Sequence, residues 1–252
     1  MESFQETLTN KGTDVPGNCS ESRGCHNNLP QTGHTHFSQG ESPAETPVCS
    51  GSDTTLDASV KNWLDAHEAQ WRERIARGKH LVVGIDGRSG AGKSTCARAM
   101  QAYFASCGVS AQIVEVEDYI EGWSGLVAGC VLLAPRVADF VRTGVFVART
   151  WDWYADSWSV DVSTTTASIL LLTGCGATSA SLAPLVNLSV WMDAPEDVRR
   201  KMVVLRDGDP ESWWALWAEQ EEALLRERNS QECNDIIVRA HIGPYSANLN
   251  PV

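Results

Sequence analysis

The sequence of 252 residues lacks a long hydrophobic run. Its longest nearly uninterrupted apolar stretch, around Leu126 to Ala134, is far shorter than the roughly 20 residues that a membrane-spanning helix needs. The N-terminus, MESFQETLTN, has neither the basic start nor the apolar segment of a signal peptide. We therefore predict a cytoplasmic protein with no membrane partner.

Positive charge is also scarce. The chain carries 20 Lys and Arg against 32 Asp and Glu, a formal net charge of −12 at pH 7. Binding to nucleic-acid backbones depends on clustered Lys and Arg that release counterions from the phosphates. The charge balance therefore predicts that nucleic acid is not a partner.

Cysteine is present at eight positions, but no two cysteines form a tight C-x-x-C pair. The scattered positions favour reduced core thiols in an intracellular protein over a disulfide framework. Several residues of metal-ligand type do occur before residue 56: Cys19, Cys25, His26, His34, His36 and Cys49. Because their spacing matches no zinc motif, a solvated tail is the preferred interpretation and a zinc site is the alternative.

Aromatic residues are nearly absent from residues 1–55. Phe4 and Phe37 are the only two there, whereas all ten tryptophans lie beyond Val60. In the same segment 32 positions are Gly, Pro, Ser, Thr, Asn or Gln. Such a composition buries too little apolar surface to offset the entropy of the chain. We predict a disordered, acidic tail over 1–55 and a folded domain over 56–252.

The predicted domain begins with an amphipathic helix. Apolar residues recur at intervals of three and four from Leu56 to Ile75, behind a possible cap at Asp53 or Thr54, and Gly78 is expected to end the helix. Beyond it, strand-length apolar runs alternate with helical patterns. This alternation predicts an α/β fold in which helices cover both faces of a parallel sheet.

One motif stands out at the first strand of this series. The strand LVVGID leads into GRSGAGKS and then into a helix, which satisfies G-x-x-x-x-G-K-[ST] in its expected context. Glycines let backbone N–H groups converge on phosphate oxygens, and the helix N-terminus adds positive potential. The motif predicts a P-loop NTPase-type fold that binds ATP and Mg²⁺. The expected nucleotide-binding residues are Gly87, Arg88, Ser89, Gly90, Ala91, Gly92, Lys93, Ser94 and Thr95.

Within this loop, two side chains have distinct expected roles. Lys93 would neutralise the β and γ phosphates during phosphoryl transfer, and the hydroxyl of Ser94 would bind the magnesium ion that bridges them.

The chain between Leu81 and Val238 resembles the uridine kinase-like nucleoside kinases, particularly the small actinobacterial members of that group. Only the phosphate loop is sharply specific, and the remaining blocks count because they occur in the family's order. The blocks are GIDGRSGAGKST, VEDYIEGW, RTWDWYADSW, LLLTGCGA, VWMDAPEDVRRKMVVLRDGD and DIIV. The resemblance implies ATP-dependent phosphorylation of a nucleoside or a similar small hydroxylated acceptor.

The resemblance also implies roles for two carboxylates after the second strand. Glu117 matches the family's acidic residue near the phosphate acceptor, and Asp118 lies beside it. Either could accept the acceptor's proton, and Glu117 could also contribute to the metal site. A solvated acidic pair at a strand end is the alternative.

For the acceptor pocket, the resemblance implies Trp151, Asp152 and Trp153, since aromatic planes stack on a base and a carboxylate accepts hydrogen bonds. Tryptophans packed in the core are the alternative. The histidine of better-known uridine kinases is absent, and its approximate place falls at Asp156, which weakens the case for uridine itself.

A basic segment that covers the transferred phosphate is implied at Arg199, Arg206 and Asp207, with Arg206 stabilising the developing charge. Arginines that complement a helix dipole are the alternative. Met202 and Val203 replace two basic residues of better-known relatives.

The largest departure from the family is at the end of the third predicted sheet strand. Thr173 stands where relatives place an acid before glycine, so a charge near the metal is missing there. We therefore predict a P-loop small-molecule kinase, with an ATP-binding regulatory protein or degenerate kinase as the alternative.

The composition of residues 1–55 generates the first testable prediction. A chain that starts at Asp53 should unfold at the same temperature as the full chain, because the removed residues cannot build a core. Calorimetry of both forms, with and without added zinc, measures this. Loss of cooperative unfolding on truncation, or zinc-dependent melting of the full chain, would contradict the prediction.

Overall fold

The computed structural model of the protein describes residues 56–239. The predictions of a disordered tail and of a zinc site within it fall on residues 1–55, outside the described residues.

Six α-helices and seven β-strands form in the described part of the chain. The helices are α1 (Ala58–Ala66), α2 (Glu68–Ala76), α3 (Lys93–Ser106), α4 (Leu126–Thr143), α5 (Glu196–Asp207) and α6 (Trp214–Glu227). The strands are β1 (Leu81–Asp86), β2 (Ala111–Glu115), β3 (Val145–Asp152), β4 (Ser157–Thr166), β5 (Ile169–Thr173), β6 (Leu188–Asp193) and β7 (Ile236–Arg239).

Five of the strands make one parallel sheet in the order β2-β5-β1-β6-β7. The first strand in sequence is therefore central, with Ile85 opposite Thr173 and Asp86 opposite Trp191. Because all five run in the same direction, their carboxyl ends meet at one edge, where ligand sites of open α/β sheets form.

Helices pack on both faces of this sheet, as the sequence predicts. Alternate residues of β1 enter two separate apolar cores: Val82 joins the core that includes α4 and α6, while Val83 and Ile85 join the core that includes α1, α2 and α3. Leu170 and Leu171 of β5 divide in the same way. This period of two places each strand between two apolar layers.

The N-terminal helix differs from the prediction, because it is divided in two at His67. The backbone of His67, at φ −107° and ψ 12°, leaves the helical region and caps both segments. The side chain of Asp57 caps α1 by accepting from the N–H of Ser59. Gly78, at φ +71°, follows the end of α2, as predicted.

A β-hairpin between α4 and β5 was not predicted. Strands β3 and β4 pair antiparallel and lie outside the main sheet. Phe146 and Ala148 of β3 are buried, whereas β4 is mostly exposed and has a mixed polar sequence. An exposed strand of this kind gives little hydrophobic periodicity, which explains why the pattern was missed.

A search of the described residues for a membrane-spanning helix finds none of sufficient length and hydrophobicity.

Candidate functional site

The loop between β1 and α3 has the backbone geometry of a phosphate loop. Gly87, Gly90 and Gly92 all have positive φ, at +146°, +82° and +93°. Two features exclude a side chain at Gly90. Its φ is positive, and a Cβ there would collide with the carbonyl oxygen of Arg199. Glycine is therefore required for this backbone path.

Six N–H groups of this loop and of the first turn of α3 have no hydrogen-bond acceptor among residues 56–239. They belong to Arg88, Gly90, Gly92, Lys93, Ser94 and Thr95. Three of them open helix α3, where the helix dipole adds positive potential. The loop thus presents a concentration of free donors that suits a phosphate group.

Buried carboxylates fix the loop from behind. Asp86 accepts from the N–H groups of Gly87, Gly176 and Thr178 at 2.7, 2.9 and 2.8 Å, and from the Thr178 hydroxyl at 2.7 Å. Burial raises the pKa of Asp86, although these hydrogen bonds oppose the shift. The carboxylate therefore joins the start of the phosphate loop to the segment after β5.

A second buried carboxylate comes from α6. Glu221 is 5% exposed and accepts from the N–H of Ser89 at 2.7 Å and from Nε of Arg88 at 2.8 Å. Arg88 also forms an ion pair with Glu222 at 2.7 Å. The guanidinium of Arg88 and the N–H of Ser89 are therefore bonded to α6 and are not free to bind a ligand in the cleft.

Lys93 is buried within the loop. Its Nζ donates to the carbonyl of Arg88 at 3.2 Å and contacts Sγ of Cys175 at 3.4 Å. Burial opposes the charge of Lys93, but the neighbouring Cys175, Glu117 and other acidic groups outweigh it and raise the pKa of the ammonium. Lys93 is therefore a protonated cation at the base of the loop.

A cleft of about 700 Å³ opens in front of the loop. Its lining comes from the phosphate loop, the start of α3, several tryptophans and α5. Of the residues that the sequence singled out, the lining includes Ser89, Gly90, Gly92, Lys93, Ser94, Thr95, Glu117, Trp153, Arg206 and Asp207. The Ser94 hydroxyl makes no hydrogen bond with any residue in 56–239, so its oxygen is available for a ligand.

Glu117 lies in the 3-10 turn Val116–Tyr119, directly after β2. Its Oε1 accepts from the N–H of Cys175 at 3.0 Å, which places the carboxylate beside the segment that follows β5. Gly174 makes room for it, since a Cβ at that position would collide with Oε2 of Glu117. Glu117 thus links the ends of two neighbouring strands at the cleft.

Asp118, the adjacent acid, is exposed and does not contribute to the lining of the cleft. Partial burial of its carboxyl, and then the negative charges of Glu115 and Glu117, raise the pKa of Asp118 to about 6. The two acids that the sequence could not separate therefore occupy different environments.

The three residues of the predicted acceptor segment, Trp151, Asp152 and Trp153, also lie in different environments. Trp151 is buried and packs edge-on against Trp158, with ring centroids 5.4 Å apart. Asp152 accepts from the N–H groups of Tyr154 and Ala155, which forms the turn of the hairpin. Of the three residues, only Trp153 lines the cleft.

Trp153 belongs to an aromatic cluster that sequence reasoning missed. Trp123 stacks on Trp213 at 4.8 Å and lies 4.9 Å from Trp153 and 5.9 Å from Trp217. All four line the cleft. The spacing of Trp213 and Trp217, four residues apart, was a signal that both lie on one helical face.

The two arginines of the basic segment also have different positions. Arg199 is 5% exposed and donates to the carbonyl of Ser89 at 3.2 Å, so it supports the phosphate loop from outside the cleft. Arg206 lines the cleft and forms two hydrogen bonds with Asp207, at 2.8 and 2.6 Å, which raise the pKa of the guanidinium. Met202 and Val203 also contribute to the lining.

Thr173 is 1% exposed, and its hydroxyl has no hydrogen-bond partner in 56–239. Thr173 carries no charge, and it does not line the cleft. Within the same range, no group of three or more His, Cys, Asp or Glu side chains could hold a metal ion by itself.

The central position of β1, the phosphate loop that follows it and the parallel sheet define a P-loop NTPase-type α/β fold, as the sequence predicted. No protein-family model matches the chain. No curated protein matches it either.

Solved structures similar to this chain include several proteins described as kinases. A possible uridine kinase from Bacillus stearothermophilus is 18% identical, with a TM-score of 0.48, over 70% of this chain and 98% of that one. A putative fructose transport system kinase from Silicibacter sp. TM1040 is 15% identical, with a TM-score of 0.43, over 68% and 97%. Shikimate kinase from Acinetobacter baumannii is 14% identical, with a TM-score of 0.40, over 65% and 86%.

The raised pKa of Asp118 generates a prediction about stability and pH. The native state holds this proton up to about pH 6, whereas the ordinary pKa is 3.8. Between these values the native state binds more protons than the unfolded state, so the contribution of Asp118 to stability falls as the pH rises. Asp118→Asn lacks this titration. Its unfolding temperature, relative to the parent protein, should therefore be higher at pH 7 than at pH 4, and equal differences at the two pH values would contradict the assignment.

Proposed function

We propose that the protein catalyses ATP-dependent phosphoryl transfer to a small hydroxylated acceptor. The observation that carries this proposal is the set of free N–H groups at Gly90, Gly92, Lys93, Ser94 and Thr95, in the loop and the first turn of α3, together with the protonated Lys93. These donors suit the β and γ phosphates of a nucleotide, and a cleft of about 700 Å³ in front of them has room for both substrates.

ATP and Mg²⁺ fit the residues present. The loop amides and Lys93 would hold the phosphates, and the free hydroxyl of Ser94 would be one oxygen ligand of the metal. The metal supplies neutralisation of phosphate charge when it is bound. Arg88 and Ser89 support the loop through α6, so they act on the nucleotide indirectly.

Glu117 is the better candidate for the acid that positions the acceptor hydroxyl and takes its proton. It lines the cleft at the edge of the sheet, whereas Asp118 does not. Its carboxylate is oriented by the N–H of Cys175. A base fixed in this way contributes to rate through geometry as well as through proton transfer.

The aromatic part of the cleft lining, together with Arg206, suits the acceptor. Arg206 is close enough to Glu117 and Glu115 for their negative charges to help raise the pKa of its guanidinium. Arg206 would stabilise charge on the transferred phosphoryl group. The faces of Trp123, Trp153 and Trp213 would stack on a planar group. A nucleoside combines such a group with hydroxyls and is the acceptor that we propose.

A second candidate function is supported by the environment of Thr173. A buried, unpaired hydroxyl stands where the resemblance implies an acid, and Lys93 is hydrogen-bonded within the loop. A protein that binds ATP and regulates a partner, without efficient transfer, would tolerate both features. Formation of a phosphorylated acceptor would distinguish the kinase from this regulatory protein.

Replacing Lys93 tests nucleotide binding. Lys93→Ala should weaken the affinity for Mg-ATP by roughly ten- to a hundredfold, the scale of a hydrogen bond to a charged group. Isothermal titration calorimetry measures this, with Lys79→Ala as a matched control because Lys79 is exposed and outside the lining. Unchanged affinity in a folded Lys93→Ala protein would overturn the assignment of the loop.

Replacing Glu117 tests catalysis. Glu117→Gln should lower turnover about a hundredfold, the usual scale of a positioned base, while ATP affinity changes little. Phosphorylated product is measured over a panel of nucleosides, with Glu121→Gln as the control for a nearby exposed acid. If Asp118→Asn loses turnover and Glu117→Gln keeps it, the role belongs to Asp118. If the parent protein binds ATP but phosphorylates no nucleoside, the proposed nucleoside kinase is wrong and the regulatory protein takes its place.

A further inference from the structure

A second cavity, of about 310 Å³, lies between the N-terminal helix pair and the sheet. We name it the basal cavity, because Leu81, Ile169 and Leu188, the first residues of β1, β5 and β6, lie in its lining. It is thus at the opposite ends of these strands from the phosphate loop, and it shares no lining residue with the cleft. The full lining is Trp63, Leu64, His67, Gln70, Trp71, Arg74, Leu81, Val83, Phe104, Ile169, Asn187 and Leu188.

The aromatic walls of the basal cavity are held by specific contacts. Trp63 stacks on His67, with ring centroids 4.0 Å apart and an interplanar angle of 17°. Nδ1 of His67 donates to the carbonyl of Trp63 at 2.8 Å, which fixes the histidine ring. Nε1 of Trp71 donates to the carbonyl of Leu64 at 3.1 Å, so its indole N–H is satisfied internally. Trp71 is buried, whereas Trp63 and His67 are half-buried and present preformed ring surface to a ligand.

The polar part of the lining is on one face of α2. Gln70 and Arg74 lie one helical turn apart, on the same side as Trp71. Arg74 forms no ion pair with any residue in 56–239, whereas Arg72 and Arg77 pair with the glutamates four residues before them. An unpaired guanidinium beside an apolar cavity, in a chain of net charge −12, suits an anionic group. Its planar fork matches a carboxylate in particular.

We propose that the basal cavity binds a small aromatic carboxylate, with its rings against the half-buried Trp63 and His67 and its carboxylate on Arg74. The volume is at the lower end of the range of roughly 300 to 1,000 Å³ for small-molecule sites, which fits one or two rings. The site does not depend on the proposed phosphoryl transfer, because the two linings are separate.

Titration calorimetry of the full chain with two matched probes tests the chemical class. 1-Naphthoate carries the proposed carboxylate, and 1-naphthalenemethanol has the same rings without the charge. We expect saturable binding of one naphthoate per chain, with the alcohol about tenfold weaker or more, the scale of a charge-assisted hydrogen bond. No saturable binding of naphthoate at millimolar concentration, or equal affinities of the two probes, would overturn the proposal.

Two variants locate the site. Arg74→Gln should weaken naphthoate binding by about tenfold and leave the alcohol unaffected, since only the charged partner is lost. Arg77→Gln is the matched control: it is exposed, one turn further along, and outside the lining, so it should bind naphthoate as the parent does. Equal effects of the two substitutions would sink the assignment. Both arginines are exposed, so neither change threatens the fold, and ATP affinity measured on the same samples verifies this.

Discussion

The structure depends on the buried carboxylate of Asp86. It ends the central strand and accepts four hydrogen bonds, three of them from the segment after β5 and one from Gly87. A buried carboxylate is tolerated only when its oxygens are satisfied in this way. The consequence is that the phosphate loop begins at a fixed point between two strands, and most of the residues with free N–H groups line one cleft. Such preorganised dipoles need no rearrangement when charge arrives, which is the main electrostatic advantage of an enzyme site.

Helix α6 supports both the phosphate loop and the aromatic cluster of that cleft. Glu221 holds the N–H of Ser89, while Trp213 and Trp217, at the N-terminal end of the helix, form part of the aromatic cluster. Gln220 of the same helix accepts from the N–H of Leu126 and also bonds to the carbonyl of Trp123. A shift of α6 would therefore move the loop and the tryptophans together. In the proposed kinase, this common support would keep the nucleotide and acceptor positions in register.

The parts of the site that sequence predicted are those fixed by local chemistry. The phosphate loop follows from the identity and spacing of its glycines. Glu117 came from the family resemblance together with Asp118, and the cleft lining distinguishes the two. Trp123 could not be placed in the same way, because its neighbours are brought to it by α6 and the hairpin from distant parts of the chain. The break at His67 could not be predicted either, since the apolar spacing runs through it unchanged.

The charge that is missing at Thr173 is present one strand away. Strands β2 and β5 are neighbours in register, with Glu115 opposite Thr173, so the turn after β2 lies beside the end of β5. Gly174 lacks the Cβ that would exclude the carboxylate of Glu117 from this place. The field at the cleft depends on the position of a negative charge and not on the strand that carries it. In the proposed reaction, Glu117 would therefore supply, from the turn after β2, the negative charge that Thr173 does not.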